Sequence, residues 1–314
     1  MNQIGACVIA GNVRRTAEIA FGEIDDKAYL DLKDYEKNPE RGEWGWASNN
    51  TVFAEVGDHR YFPAAKRTAA NGEPGYAWLE NMRAYGRMKD EPTWDDHRVE
   101  GANPCVEQSL ESYEMCCLVE TFPNNHDSKE DYLRTLKFAY MYGKTVTLVA
   151  SHWPETNRVM LRNRRIGTSM TGVTQFLRDR GYGELQEWAD EGYNKIQEYD
   201  EIYSDWLCVP RSIKTTSIKP SGTVSLLAGA TPGMHWPTAR TYIRRIRLPE
   251  ESPMLPAIRE AGYPVEPDQV TEGDVVVEFP VQIDEYVRPV HEVPIREQLN
   301  LAAFLQREWA DNQV

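Results

Sequence analysis

The stretch Asn103-Pro104-Cys105-Val106-Glu107 sets a thiol two residues from a carboxylate, and Cys116 adds a second thiol eleven residues further on. Pro104 disfavours the α region at Asn103, so the segment reads as a turn or an extended loop. In an extended segment residues i and i+2 share a face. On that reading Cys105 and Glu107 both point into one cavity. Two thiols and a possible general base at one site suggest redox or radical chemistry. The plain alternatives are a buried structural cysteine, a solvated loop glutamate and a turn asparagine before proline.

A second group of residues could hold an anion. Pro220-Ser221-Gly222-Thr223-Val224-Ser225 lies between a predicted strand and a predicted helix. Small hydroxyl residues and glycine there can offer backbone N–H groups and hydroxyls, and a helix start adds partial positive charge, so a phosphate fits. The alternative is an ordinary helix cap at Ser221; both can hold at once. Arg14-Arg15 and Arg164-Arg165 could serve phosphates or pair with surface carboxylates. Ser48-Asn49-Asn50 is placed near the site without a role. Trp44, Trp46 and Cys208 read as core. No cysteine pair has CxxC spacing and no histidine pair has HExxH spacing, so no metal site is expected.

The elements that must carry these residues alternate between strand and helix. Apolar or alternating runs predict strands over 4–10, 17–21, 213–218, 242–248 and 275–281. Helices are predicted over 27–36, 77–88, 129–142, 171–180, 184–206 and 299–309, with a turn entering a helix over 221–227. Residues 38–60 read as ordered loop, and 89–127 as mostly non-helical. The alternation favours an α/β architecture.

With 314 residues the chain can bury a sizeable core in one large or two ordinary domains. Its formal charge of −14 argues against a nucleic-acid partner, which needs net positive surface. No apolar run approaches the roughly 20 residues of a membrane helix, so no membrane partner is expected. No secretory signal is visible. Five widely spaced cysteines do not suggest a secreted disulfide framework, and a reducing cytoplasm fits better.

The Asn-Pro-Cys-x-Glu motif with its downstream cysteine resembles the active-site loop of ribonucleotide reductases. The resemblance is to the adenosylcobalamin-dependent (class II) branch, of the ribonucleoside triphosphate type. It extends over Gly11-Asn12-Val13-Arg14-Arg15-Thr16-Ala17-Glu18, Trp46-Ala47-Ser48-Asn49-Asn50-Thr51, Asn71-Gly72-Glu73-Pro74-Gly75 and Arg164-Arg165-Ile166-Gly167. It continues through Lys219-Pro220-Ser221-Gly222-Thr223-Val224-Ser225 and Asp274-Val275-Val276-Val277-Glu278-Phe279-Pro280. The order of the motifs is the family's.

The resemblance implies an incomplete part of the family's ten-stranded α/β barrel, with Cys105 on an inner finger loop. It implies that Cys105 becomes a thiyl radical, that Glu107 takes the 3′-hydroxyl proton, and that Asn103 hydrogen-bonds the substrate. Cys116 would be one of two reducing cysteines, and 221–225 would hold the substrate phosphates. The cofactor implied is adenosylcobalamin. The partners implied are a ribonucleoside triphosphate, thioredoxin or a small dithiol, and a complementary reductase polypeptide. Cys117 stands where the family more often has asparagine, and the family partner of Cys116 lies upstream of this sequence. Residues 1–314 are therefore expected to be one partial catalytic barrel domain, lacking the N-terminal region and the C-terminal end. The alternative is an inactive or partner-dependent nucleotide-binding piece of a split reductase. Unpaired barrel edges would make the isolated chain prone to association.

Overall fold

The computed structural model describes residues 17–269, 272–283 and 285–313. The strand expected over 4–10, Cys7, and the pair Arg14-Arg15 lie outside the described residues. Two parallel three-stranded sheets dominate the architecture. In the first, β1 (Glu18–Glu23) pairs with β2 (Ser48–Phe53) in register from Glu18 opposite Ser48, and β3 (Gly75–Ala77) lies on the other side of β2. Parallel strands need crossovers, supplied here by α1 (Lys27–Leu30) and α2 (Tyr61–Asn71). The Asp26 carboxylate starts α1 by accepting the amides of Ala28 and Tyr29 at 2.9 and 3.1 Å.

A short helix, α3 (Leu79–Ala84), leads to a two-rung antiparallel hairpin of β4 (Gly101–Ala102) and β5 (Ser109–Leu110). The second parallel sheet comes next. It comprises β6 (Leu118–Thr121), then α4 (Lys129–Val146) and α5 (Pro154–Asn163), and then β7 (Gly167–Met170). After β7 the chain forms α6 (Val173–Leu207), broken at Gly181, and β8 (Thr216–Ser217), with β7 central in the sheet. The single turn α7 (Val224–Leu227) precedes an antiparallel layer. There β9 (Thr241–Pro249), α8 (Leu255–Glu260), β10 (Val265–Pro267) and β11 (Asp274–Gln282) form a sheet in the order β10-β11-β9. The helix α9 (Ile295–Glu308) closes the described chain.

The main core lies on one side of the second sheet. It joins Tyr132, Leu136 and Tyr140 of α4 to Trp188 and Ile196 of α6, Met170, Leu301, Leu305 and Trp309. Trp309 is fully buried, and its indole donates to the carbonyls of Thr168 and Ser217 at 3.1 and 3.0 Å. Those bonds pin the end of α9 beneath β7 and β8. Thr216 of β8 turns its hydroxyl to the Trp309 carbonyl at 2.6 Å, whereas its neighbour Ser217 faces the opposite side and bonds the Glu107 carbonyl of the hairpin.

Several expectations shift. The helix expected over 27–36 is one turn long, because only Leu30 of α1 is buried and short helices need packing to persist. The helix expected over 77–88 contracts to Leu79–Ala84. The region read as loop over 38–60 contains β2, whose Ser-Asn-Asn-Thr start hides a strand from a hydrophobic pattern. Three helices, α2, α5 and α8, were not expected.

Candidate active site

The cysteine motif occupies the tip of the β4–β5 hairpin. The amide of Asn103 donates to the Gln108 carbonyl at 3.1 Å, extending the ladder by one rung. Beyond it the chain turns back, with the Val106 amide donating to the Asn103 carbonyl at 2.8 Å. Pro104 sits at the second position of this turn, where its fixed φ suits. The extended geometry expected for Cys105 and Glu107 therefore does not occur. Cys105 stands exposed at the turn apex, and Val106 takes φ 68°. A β-branched residue in that region is strained by about 1–3 kcal/mol, and such strain persists only where the surroundings hold it.

The surroundings do hold it, from both parallel sheets. Asn49 of β2 donates its amide to the Pro104 carbonyl at 2.6 Å. Ser217 of β8 donates its hydroxyl to the Glu107 carbonyl at 2.6 Å. Gly167 permits the approach: a Cβ there would lie 2.7 Å from Gln108 Nε2 and 2.5 Å from Leu118. Inside the turn the Asn103 amide donates to Glu107 Oε2 at 2.6 Å, while Asn103 Oδ1 accepts the Gln108 amide at 2.9 Å. Glu107 is 2% exposed. Burial raises its carboxyl pKa, the nearby Glu120 adds to the rise, and Asn103 and Lys219 oppose it.

Cys116 precedes β6 by two residues and alternates with Leu118 and Glu120, so all three share one face. Although Cys116 is exposed, the protein packed around its sulfur desolvates the thiolate, and this, then the charge of Glu107, push the thiol up to about 12, with Lys219 pulling the other way. Cys105 is also near enough to act on it. Cys117 faces the other way: it is buried, and its thiol donates to the Gly143 carbonyl of α4 at 3.6 Å. Between the adjacent cysteines, only Cys116 joins the hairpin's cluster.

Glu120 and Lys219 were missed in the sequence, although Glu120 lies four residues after Cys116 on a strand and so was findable by alternation. Its carboxylate accepts the Thr171 hydroxyl at 2.7 Å and the Ser221 hydroxyl. Burial raises its pKa, and these hydroxyls and Lys219 oppose the rise.

Ser221 links this cluster to the second group of candidate residues. It is 4% exposed and has φ 51°, a left-handed conformation held by its bond to Glu120. It is not the helix cap: Thr223 occupies that position, without a side-chain capping bond. Ser225 is fully buried, and its hydroxyl has no protein partner. Gly222 and Thr223 are exposed, and Val224 is half-buried. Because α7 is a single turn, its dipole adds little. The backbone of 219–220 rests on Gly233, where a Cβ would come within 2.3 Å of the Lys219 carbonyl oxygen. The guanidinium of Arg244, from β9, donates to the Gly222 carbonyl and the Thr223 hydroxyl, each at 3.0 Å.

Other candidates fall elsewhere. Arg165 is fully buried and pairs with Asp96 at 2.7 Å and Glu114 at 3.0 Å, while buried Arg164 donates to the Thr147 carbonyl. Neither reaches the 221–225 loop. Trp46 is exposed rather than core, and Trp44 is half-buried with Arg41 over its ring. Cys208 is exposed at the end of α6. Among the described residues no cluster of histidine, cysteine and carboxylate side chains is arranged to hold a metal ion, and no helix is long and apolar enough to cross a membrane.

No protein-family model matches the chain. Individual proteins do. It is 56% identical over its whole length to a probable adenosylcobalamin-dependent ribonucleoside-triphosphate reductase of Dictyostelium discoideum, covering 41% of that protein. It is equally similar to the adenosylcobalamin-dependent ribonucleoside-triphosphate reductase of Euglena gracilis, covering 43% of it. The Lactobacillus leichmannii enzyme of the same name is 37% identical. A crystal structure of a B12-dependent (class II) ribonucleotide reductase superposes over all of this chain and 47% of its own, with a TM-score of 0.85 at 34% identity. The class Id reductase alpha subunit of Actinobacillus ureae shares the fold, with a TM-score of 0.65 at 15% identity. The chain thus spans less than half the length of the curated relatives it matches. The fold agrees with the expected partial reductase barrel.

Proposed function

We propose that this chain, homologous over its whole length to adenosylcobalamin-dependent ribonucleoside-triphosphate reductases, carries the part of such an enzyme that reduces a ribonucleotide to its 2′-deoxyribonucleotide. The carrying observation is the hairpin tip, which exposes Cys105 above a buried, hydrogen-bonded Asn103–Glu107 pair and beside Cys116. A thiol open at the apex fits a large organometallic cofactor approaching from outside. When bound, adenosylcobalamin supplies a carbon-centred radical. No side chain of this chain is assigned to the cobalt.

Cys105 gives up its thiol hydrogen atom and, as a thiyl radical, abstracts the 3′-hydrogen of the ribose. Glu107, ionised, takes the 3′-hydroxyl proton; its raised pKa suits proton exchange near neutral pH. Asn103 keeps that carboxylate in one orientation. Cys116 protonates the departing 2′-hydroxyl, which leaves as water. With a second cysteine from a complementary reductase polypeptide it supplies two electrons and the hydrogen that C2′ gains, and the pair ends as a disulfide; Glu107 then returns the proton to the 3′-oxygen and Cys105 returns the hydrogen atom to C3′. A dithiol such as thioredoxin reduces that disulfide. The substrate phosphates lie on 221–225, with Gly222 and Thr223 the accessible part. A reducing cytoplasm suits a site built on reduced thiols.

The test is deoxyribonucleotide formation from a ribonucleoside triphosphate with adenosylcobalamin and a dithiol. It is run on this chain alone, with an added upstream reductase section, and with Cys105→Ser. Turnover that needs the added section and vanishes in Cys105→Ser supports the reading. Equal turnover in Cys105→Ser would sink it.

A further inference from the structure

The phosphate loop leaves open which substrate phosphates the chain can distinguish, and β9 carries a residue placed to answer that. Successive side chains of a strand face opposite ways. Arg245 and Arg247 occupy the exposed face of β9 and are neutralised, Arg245 by Glu266 and Glu278, and Arg247 by Asp268 at 2.9 Å. Arg244 lies on the other face, with Tyr242, Ile246 and Leu248, of which Leu248 packs on the small core under α8. A cation on the inward face of a half-buried strand needs a reason. Among the described residues Arg244 makes no ion pair. Its two hydrogen bonds there go to neutral acceptors on the 222–223 lip, the Gly222 carbonyl and the Thr223 hydroxyl.

Lys219 supplies the opposite end of the gradient. It acts on Glu107, Glu120 and Cys116, so its charge lies on the thiol side of the loop. The two cations therefore bracket the loop, one beside the thiols and one on the outer lip. A nucleotide whose ribose faces Cys105 runs its phosphates outward from the first cation to the second. Phosphate carries charge that an acidic chain must offset locally, and a guanidinium fork has five N–H donors, of which two are engaged here.

We infer that Arg244 reads the terminal phosphate of a nucleoside triphosphate and so sets preference for triphosphate over diphosphate. The inference rests on the 221–225 loop being the phosphate site. Arg244 is a binding residue, bonded to Gly222 and Thr223.

Isothermal titration of the full chain with CTP and with CDP, at fixed ionic strength and without divalent cation, tests this in wild type, Arg244→Ala and Arg244→Lys. Loss of a charge-assisted bidentate contact weakens CTP binding by about tenfold or more in Arg244→Ala, with CDP changed by less than about twofold. Arg244→Lys keeps the charge without the fork and falls between. Equal weakening of CTP and CDP, or no change in either, overturns the role of Arg244 while leaving the phosphate loop intact. Failure of wild type to bind either nucleotide overturns the loop as phosphate site, and this inference with it. Matching thermal melts of the three proteins establish that the variants fold, and Arg244→Lys alone decides if Arg244→Ala does not.

Discussion

The Asn103 amide donates to Glu107 Oε2 at 2.6 Å, and both side chains are buried in the turn that carries Cys105 between them. This bond favours the ionised carboxylate against the burial that disfavours it. Removing it in Asn103→Ala raises the Glu107 pKa further. If Glu107 works as a base, it is active when ionised, so the acid limb of the activity profile moves to higher pH. The expected loss at neutral pH is roughly tenfold, on the scale of one charge-assisted hydrogen bond, with partial recovery as pH rises. A pH–rate profile of the reconstituted enzyme checks it. An unmoved acid limb would show that Asn103 does not tune Glu107.

The Ser221–Glu120 bond makes a second prediction, about the loop rather than the chemistry. Ser221 is held at φ 51° with its hydroxyl committed to Glu120. Glu120→Ala and Ser221→Ala each remove the same anchor, so each should speed amide exchange over 219–228. The double variant should do little more than either single one, with a coupling of about 1 kcal/mol. Hydrogen exchange read by mass spectrometry decides, with β9 and β11 as internal controls. Additive effects would mean the two side chains act separately.

The cysteines should differ in reactivity in an order that exposure alone does not give. Alkylation needs the thiolate. Cys208 is exposed, so it should react early in the native chain. Cys116 also has solvent access, but its thiol is pushed up to about 12, so it should react slowly. Its rate should climb about tenfold per pH unit below that value, following the thiolate fraction. Cys117 is buried against α4, with its thiol pushed up to about 11, and should be protected until unfolding. Faster labelling of Cys117 than of Cys116, by peptide mass mapping, would contradict the orientation described.

The grouping of the candidate residues was more legible in the sequence than the elements that support it. Cys105, Glu107, Asn103 and Cys116 stand out because their types and spacing are unusual, and the hairpin with β6 brings them together. The shape of their loop was not legible. The strain at Val106 is imposed by Asn49 and Ser217, far away in sequence, and no local propensity encodes it. The long amphipathic helices and the β9–β11 pair followed from periodicity. β2 did not, because its buried Ser48, Asn50 and Thr51 are polar and erase the apolar alternation on which such readings depend. Arg164-Arg165 read as surface or phosphate residues because buried arginine is rare. Only the folded chain shows Asp96 and Glu114 waiting for Arg165.

That buried pairing gives the last prediction. Arg165 is fully buried, donates to both oxygens of Asp96 at 2.7 Å, to Ser109 of β5 at 3.0 Å and to Asn312, and ion-pairs with Glu114 at 3.0 Å. It thereby ties the base of the hairpin to β7 and to Asn312, beyond α9. Arg165→Ala leaves the buried Glu114 carboxylate without its cation and Asp96 with only Lys214 at 3.5 Å, and removing one partner of a buried pair costs about 3–5 kcal/mol. Urea unfolding should show a midpoint lowered accordingly. The Glu114→Gln, Arg165→Met double variant removes the stranded carboxylate charge with its cation, while Asp96 keeps Lys214, and should recover part of the loss. A single variant as stable as wild type would mean that water or a shifted proton already compensates the carboxylates. The network would then not be what holds the hairpin in place.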